Sequence, residues 1–153
     1  MLGRRQALLV RRVAGVTALL TTAGCAGLLG TRPEDRAVTV TLRVPQAEAV
    51  RRTLEAFRDQ GYRVKESLTS GTNPETEPFR HRSGGEEVDA VFHTTITGSG
   101  STSRVVLTGT YRTRELGGLV HGKEHEVRRA DQGLEGELWA RLTNLGIAIR
   151  TAR

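Results

Sequence analysis

Val38-Thr39-Val40-Thr41-Leu42-Arg43-Val44 alternates without a break. Val38, Val40, Leu42 and Val44 face one way, and Thr39, Thr41 and Arg43 face the other. Successive side chains of a strand point to opposite sides, so this is a strand with one buried and one solvated face. Pro45 follows where a helix tolerates it, in the first turn. Ala47, Val50, Leu54 and Phe57 then recur at helical spacing, with Arg51, Arg52, Glu55 and Arg58 between them. That pattern predicts an amphipathic helix, ended by Gly61 in a left-handed turn. Tyr62 to Leu68 alternates again, with Arg63 and Lys65 on the outer side.

Residues 69–87 are polar and hold Pro74, Pro78, Gly71, Gly84 and Gly85, which reads as one long loop. Val88 to Thr97 and Arg104 to Thr113 are rich in β-branched residues, and Gly98-Ser99-Gly100-Ser101 between them predicts a hairpin. Leu116 to Ala130 has no clear period. Asp131 reads as the cap of a last helix carrying Leu134, Leu138, Leu142 and Leu145 on one face, with Trp139 beside them. Gly146 echoes Gly61 as a helix end before a short final strand. The order β-α-β-β-β-α predicts an α+β domain over residues 37–153. It has an antiparallel sheet of about four strands with two helices on one face, in a ferredoxin-like or related plan.

The first 25 residues have a different character. Arg4, Arg5, Arg11 and Arg12 precede an apolar run, Val13 to Ala23, with no acid before Cys25. That run is about half of the ~20 residues a spanning helix needs. A basic start, a short apolar core and a small-residue exit make an export signal. Thr22-Ala23-Gly24-Cys25 resembles the lipobox of bacterial lipoproteins, although that family prefers Leu where Thr22 stands. The resemblance implies that residues 1–24 are a cleaved signal peptide and that Cys25 becomes the lipidated first residue. Residues 25–36 would then form a tether, and the domain would sit outside the cytoplasm on a lipid anchor. Ala26 and Gly27 after the cysteine, in place of the Asp that often marks inner-membrane retention, favour the outer membrane if the cell has two. Arg4-Arg5-Gln6-Ala7-Leu8 resembles a relaxed twin-arginine export motif.

The export reading reshapes the charge argument. The chain has 23 basic and 17 acidic side chains, a net +6. Taking the four signal arginines from 23 leaves 19 against 17, a net +2 for the mature chain. A near-balanced charge gives little phosphate attraction, and aromatics are only 4% of the chain, so no nucleic-acid partner is expected. Cys25 is the single cysteine, so an internal disulfide is excluded, and lipidation would consume the thiol.

Chemistry-bearing motifs are few. There is no G-x-S-x-G, phosphate loop or cofactor fingerprint, so no cofactor is implied. His121-Gly122-Lys123-Glu124-His125 spells H-x-x-E-H and resembles the zinc motif of inverzincin-type metalloproteases. That resemblance implies His121 and His125 as ligands and Glu124 as base, in a small zinc-dependent hydrolase. Gly117, Gly118 and Gly122 oppose the helix the motif needs, so a polar connecting segment is the favoured reading. The stronger candidate is the outward sheet face, where Arg43, Arg63, Lys65, His93 and Arg112 join several threonines in a mildly basic surface. The expectation is a non-enzymatic binding or assembly module whose partner is an envelope protein or an anionic lipid.

Overall fold

The computed structural model describes residues 32–65, 73–114, 120 and 122–153. Thr22, Ala23, Gly24, Cys25 and His121 lie outside the described residues. A single 3-10 turn, Pro33–Asp35, leads into β1 (Val38–Leu42), α1 (Gln46–Asp59), β2 (Phe79–Ser83), β3 (Glu86–Ser99), β4 (Thr102–Arg114), β5 (His125–Glu126) and α2 (Gly133–Thr151). The sheet runs β1-β4-β3-β2, with β5 beside β4, and every pairing is antiparallel. The class is α+β, as expected. The strands flanking α1 run antiparallel at opposite edges, which makes the plan a relative of the split βαβ arrangement rather than a copy of it. Among the described residues, no helix is long and apolar enough to cross a membrane.

The long β3–β4 hairpin is the spine. Its register runs from Glu87 opposite Arg114 to Ser99 opposite Thr102. It turns on Gly100 and Ser101, with Gly100 at φ +59°. β1 adds to β4 with Val40 opposite Val105. One sheet face therefore collects Val40, Leu42, Val88, Ala90, Phe92, Ile96, Val105 and Leu107, all buried. Both helices cover this face. Tyr62 sits among three rings, with centroids 4.9 Å from Phe79, 5.5 Å from Phe92 and 6.3 Å from Phe57, all edge-on. That geometry suits the ring quadrupoles and closes the core at the α1 exit.

Several sequence expectations change. The segment read as one loop contains β2, because Gly84 (φ +58°) and Gly85 (φ +89°) form a tight turn that pairs Phe79–Ser83 with β3. The expected second strand at 62–68 is not a sheet strand where it is described. Instead the Lys65 N–H donates to Glu75 O and the Glu77 N–H to Arg63 O, so residues 63–65 lie along an outer segment. Residues 66–68 fall outside the described chain.

Both helices differ in detail. α1 presents Ala49, Thr53, Ala56 and Phe57 to the sheet, while Ala47 is exposed and Val50 and Leu54 are half-buried. Small residues let the helix lie close, and the buried Thr53 hydroxyl is satisfied by Ala49 O at 2.8 Å. Gln132, not Asp131, is the residue before α2, and no side chain caps it. Gly146 does not end α2, which continues to Thr151 with no final strand. Gly146 is buried against β1, and an added Cβ would meet Val38 Cγ1 at 2.9 Å and Val40 Cγ2 at 3.3 Å. The glycine serves helix-on-strand packing.

Candidate functional site

Among the described residues, no element packs across the sheet face opposite the helices. Its rows follow from the register: Thr41, Arg104 and Thr97 lie side by side, then Thr39, Val106 and Thr95, then Thr108 and His93, Thr110 and Val91, Arg112 and Asp89, and Arg114 and Glu87. The hydroxyl-rich rows lie toward the β3–β4 turn and the charged rows at the other end.

Two flanking segments make the charged end concave. On the β3 side, residues 73–76 continue the line of β2. The Thr76 N–H donates to Phe92 O at 3.0 Å, the Thr94 N–H to Pro74 O at 3.1 Å and the Ile96 N–H to Asn73 Oδ1 at 2.9 Å. On the β4 side, Val120 bridges to Arg114, His125 and Glu126 pair with Tyr111 and Thr110, and Val127 N–H donates to Gly109 O. Between them lies a groove of about 740 Å³ floored by Asp89, Val91, His93, Thr110 and Arg112 and walled by Lys65, Glu75, Glu77, Val120 and Glu124.

Of the five basic residues expected on one binding face, the groove gathers Lys65, His93 and Arg112. Arg43 lies beyond the end of β1, and Arg63 sits on the outer segment; both are exposed and outside the groove. Within the groove the basic side chains are each paired with an acid. Lys65 Nζ pairs with Glu75 at 3.5 Å, His93 Nδ1 with the same carboxylate at 3.1 Å, and Arg112 with Glu124 at 3.0 Å. Two fixed cations, Lys65 and Arg112, thus face four carboxylates, Glu75, Glu77, Asp89 and Glu124. Three of those acids come from segments that read as patternless in the sequence, so their position on this face was hidden. A run such as Asn73-Pro74-Glu75-Thr76-Glu77-Pro78 shows alternation only once Thr76 is known to be buried.

His93 links Glu75 to Thr110, whose Oγ1 is 3.1 Å from Nε2. One tautomer satisfies all three groups: Nδ1–H donates to Glu75, and the Thr110 hydroxyl donates to Nε2. Acid, imidazole and hydroxyl in that order resemble a nucleophile-activating set. Such a set also needs donors aimed at a developing oxyanion. The fixed cations of the groove, Lys65 and Arg112, are engaged by Glu75 and Glu124. The described geometry ties Glu75, His93 and Thr110 into one hydrogen-bonded line across the groove floor.

The H-x-x-E-H segment is not helical where it is described. Glu124 is turned to Arg112, and His125 stands in β5 with its ring stacked on Tyr111 at 5.3 Å. Among the described residues no group of three His, Cys, Asp or Glu side chains is placed to hold a metal ion.

A second polar cluster lies on the covered face, and no local sequence pattern marks it. His81, buried in β2, meets Glu137 of α2 at 2.9 Å, and the Ser83 hydroxyl donates to the same carboxylate at 2.6 Å. These contacts hold Glu137 below the usual carboxylate range; the Ser83 hydrogen bond is the largest cause. The cluster ties an edge strand to a helix.

No protein-family model matches the chain, and no curated protein is similar to it.

Proposed function

We propose that this protein is a lipid-anchored cell-envelope lipoprotein whose mature domain is a non-enzymatic binding module. Cys25 carries the anchor, residues 25–36 form the tether, and the groove on the open sheet face receives a protein partner. The observation that carries the reading is the one-sided fold: both helices lie on one face, and among the described residues the other face is left open with a walled groove. Its lining favours a polypeptide of mixed charge over an anionic lipid. Each groove cation already faces a carboxylate, so an anionic surface would meet as much repulsion as attraction.

Two measurements test the proposal. Cys25→Ala should abolish incorporation of labelled fatty acid and release the protein from the membrane fraction. A variant that remains labelled and membrane-bound sinks the anchor. For the groove, a photo-crosslinking side chain at Val91 should capture a discrete envelope protein in intact cells, while one on the outer side of α1 at Arg58 should not. Equal capture from both positions, or capture of lipid alone from Val91, refutes the groove as the docking site.

A further inference from the structure

We infer that the outer edge of β1 is a self-association surface: two copies of this chain pair their β1 strands antiparallel about a two-fold axis at Val40. The inference starts from which way the backbone points. The N–H groups of Phe92, Thr94 and Ile96 bond to Thr76 Oγ1, Pro74 O and Asn73 Oδ1, on the side of β3 away from β4. Backbone groups alternate sides along an antiparallel strand. Odd-numbered residues of β4 therefore point toward β1, and the bond from Val127 N–H to Gly109 O on that same side agrees. Val40 pairs with Val105, so its own N–H and C=O belong to the ladder. The N–H and C=O groups of Thr39 and Thr41 must then point out of the sheet. Both residues are exposed, and no described residue bonds to these groups.

An edge of this kind is a template for another strand. Val38–Leu42 is self-complementary about Val40. Thr39 would stand opposite Thr41 of the second copy, exchanging both backbone bonds and placing two β-branched hydroxyl side chains together. Val38, which is half-buried, would stand opposite Leu42 of the second copy on the helix side, extending the core. Arg43 would face Ala37, so no like charges meet. The other edge shows the contrast. By the same alternation, Arg80 and Arg82 point outward from β2, and a two-fold at His81 would set them against each other. The β2 edge is guarded by charge and the β1 edge is not. In the pair, all four helices share one side and both open faces share the other.

The test uses the full chain in detergent, with Cys25→Ala so that only introduced thiols react. Facing residues of a hydrogen-bonded pair have Cα atoms ~5.5 Å apart, within disulfide range. Mixing Thr39→Cys chains with Thr41→Cys chains should therefore give several-fold more crosslinked dimer than either alone. Equal yields, or crosslinks to a different polypeptide in envelope extract, overturn the inference. The variant T39K/T41K, whose altered side chains are solvent-exposed, should sediment as a monomer with an unchanged circular dichroism spectrum. A folded T39K/T41K variant that still forms dimers overturns it as well.

Discussion

Arg114 passes over its own cross-strand neighbour to bond Asp89. Its register partner is Glu87, yet its guanidinium lies 2.7 Å from Asp89, and both side chains are about four-fifths covered. Glu87 is left to Arg80 and Arg82 of β2, at 3.3 and 3.7 Å. The charged end of the open face is thus laced from β2 through β3 and β4 to Glu124. This is why a surface that counts as basic in sequence is neutralised in the fold.

The Asp89–Arg114 pair should matter to stability more than the exposed pairs around it. A short charged hydrogen bond whose side chains are mostly covered is screened less by water than the exposed pairs beside it. Asp89→Asn is expected to lower the urea midpoint clearly, while Glu124→Gln should leave it nearly unchanged. Equal effects of the two substitutions would show that the pair is as solvated as its neighbours.

Acid should loosen the domain through two identifiable carboxylates. Glu48 of α1 accepts from Arg51 and then Arg52, which lowers it from 4.5 to about 2. Glu137 is lowered from 4.5 by Ser83 first and then by His81. A folded-state value below the unfolded one gives stability that is present above 4.5 and lost as pH falls through the folded value. The melting temperature should therefore decline below 4.5, and Glu137→Gln with Ser83→Ala should flatten that decline. Carboxyl NMR titration gives the direct check: Glu48 titrating in the ordinary range would sink the assignment.

The sequence made some of this legible and concealed the rest for physical reasons. β1, α1 and the β3–β4 hairpin carry strong periods because each has a long apolar side facing the core. β2 carries almost none. Its inward residues are Phe79, His81 and Ser83, and two of them are satisfied by Glu137, a residue 54 to 56 positions away. The only local signal was Gly84-Gly85, a glycine pair that makes a tight hairpin. Gly146 is ambiguous in sequence because a glycine near a helix end has two meanings, a cap or a close approach, and only the position of β1 decides between them. For the groove, the floor residues His93 and Arg112 are legible from strand alternation. The acidic walls did not, because Glu75, Glu77 and Glu124 lie in segments placed by backbone bonding rather than by hydrophobic pattern.

Tyr111 offers a spectroscopic handle on the covered face. Burial, followed by its hydrogen bond to Glu135 at 2.9 Å, raises its phenol from 10.0 to about 12. The phenol is stabilised in its neutral form, so its contribution holds below 10.0 and is lost as pH rises through 12. An absorbance titration should show a phenolate transition near 12 that disappears in Tyr111→Phe. That substitution also removes a tie from β4 to α2 and should cost about 0.5–1.5 kcal/mol. A transition near 12 that survives the substitution would assign it elsewhere.

Gly146→Ala sets helix propensity against packing. Alanine is better than glycine inside a helix by about 1 kcal/mol, so on propensity alone the variant gains. The new methyl, however, would lie 2.9 Å from Val38 Cγ1, closer than real carbons approach. Val38 is β-branched and stiff at χ1, so it cannot swing aside cheaply. Overpacking of this kind costs about 1–3 kcal/mol, which outweighs the propensity gain. The melting temperature should therefore fall by a few degrees. Val38→Ala in the same chain removes the colliding methyl, so the double variant should be more stable than the sum of the two single losses implies. Contacting residues typically couple by about 0.5–3 kcal/mol in such a cycle. An unchanged or higher melting temperature for Gly146→Ala alone would mean that α2 sits farther from β1 than described, and that Gly146 serves no packing role.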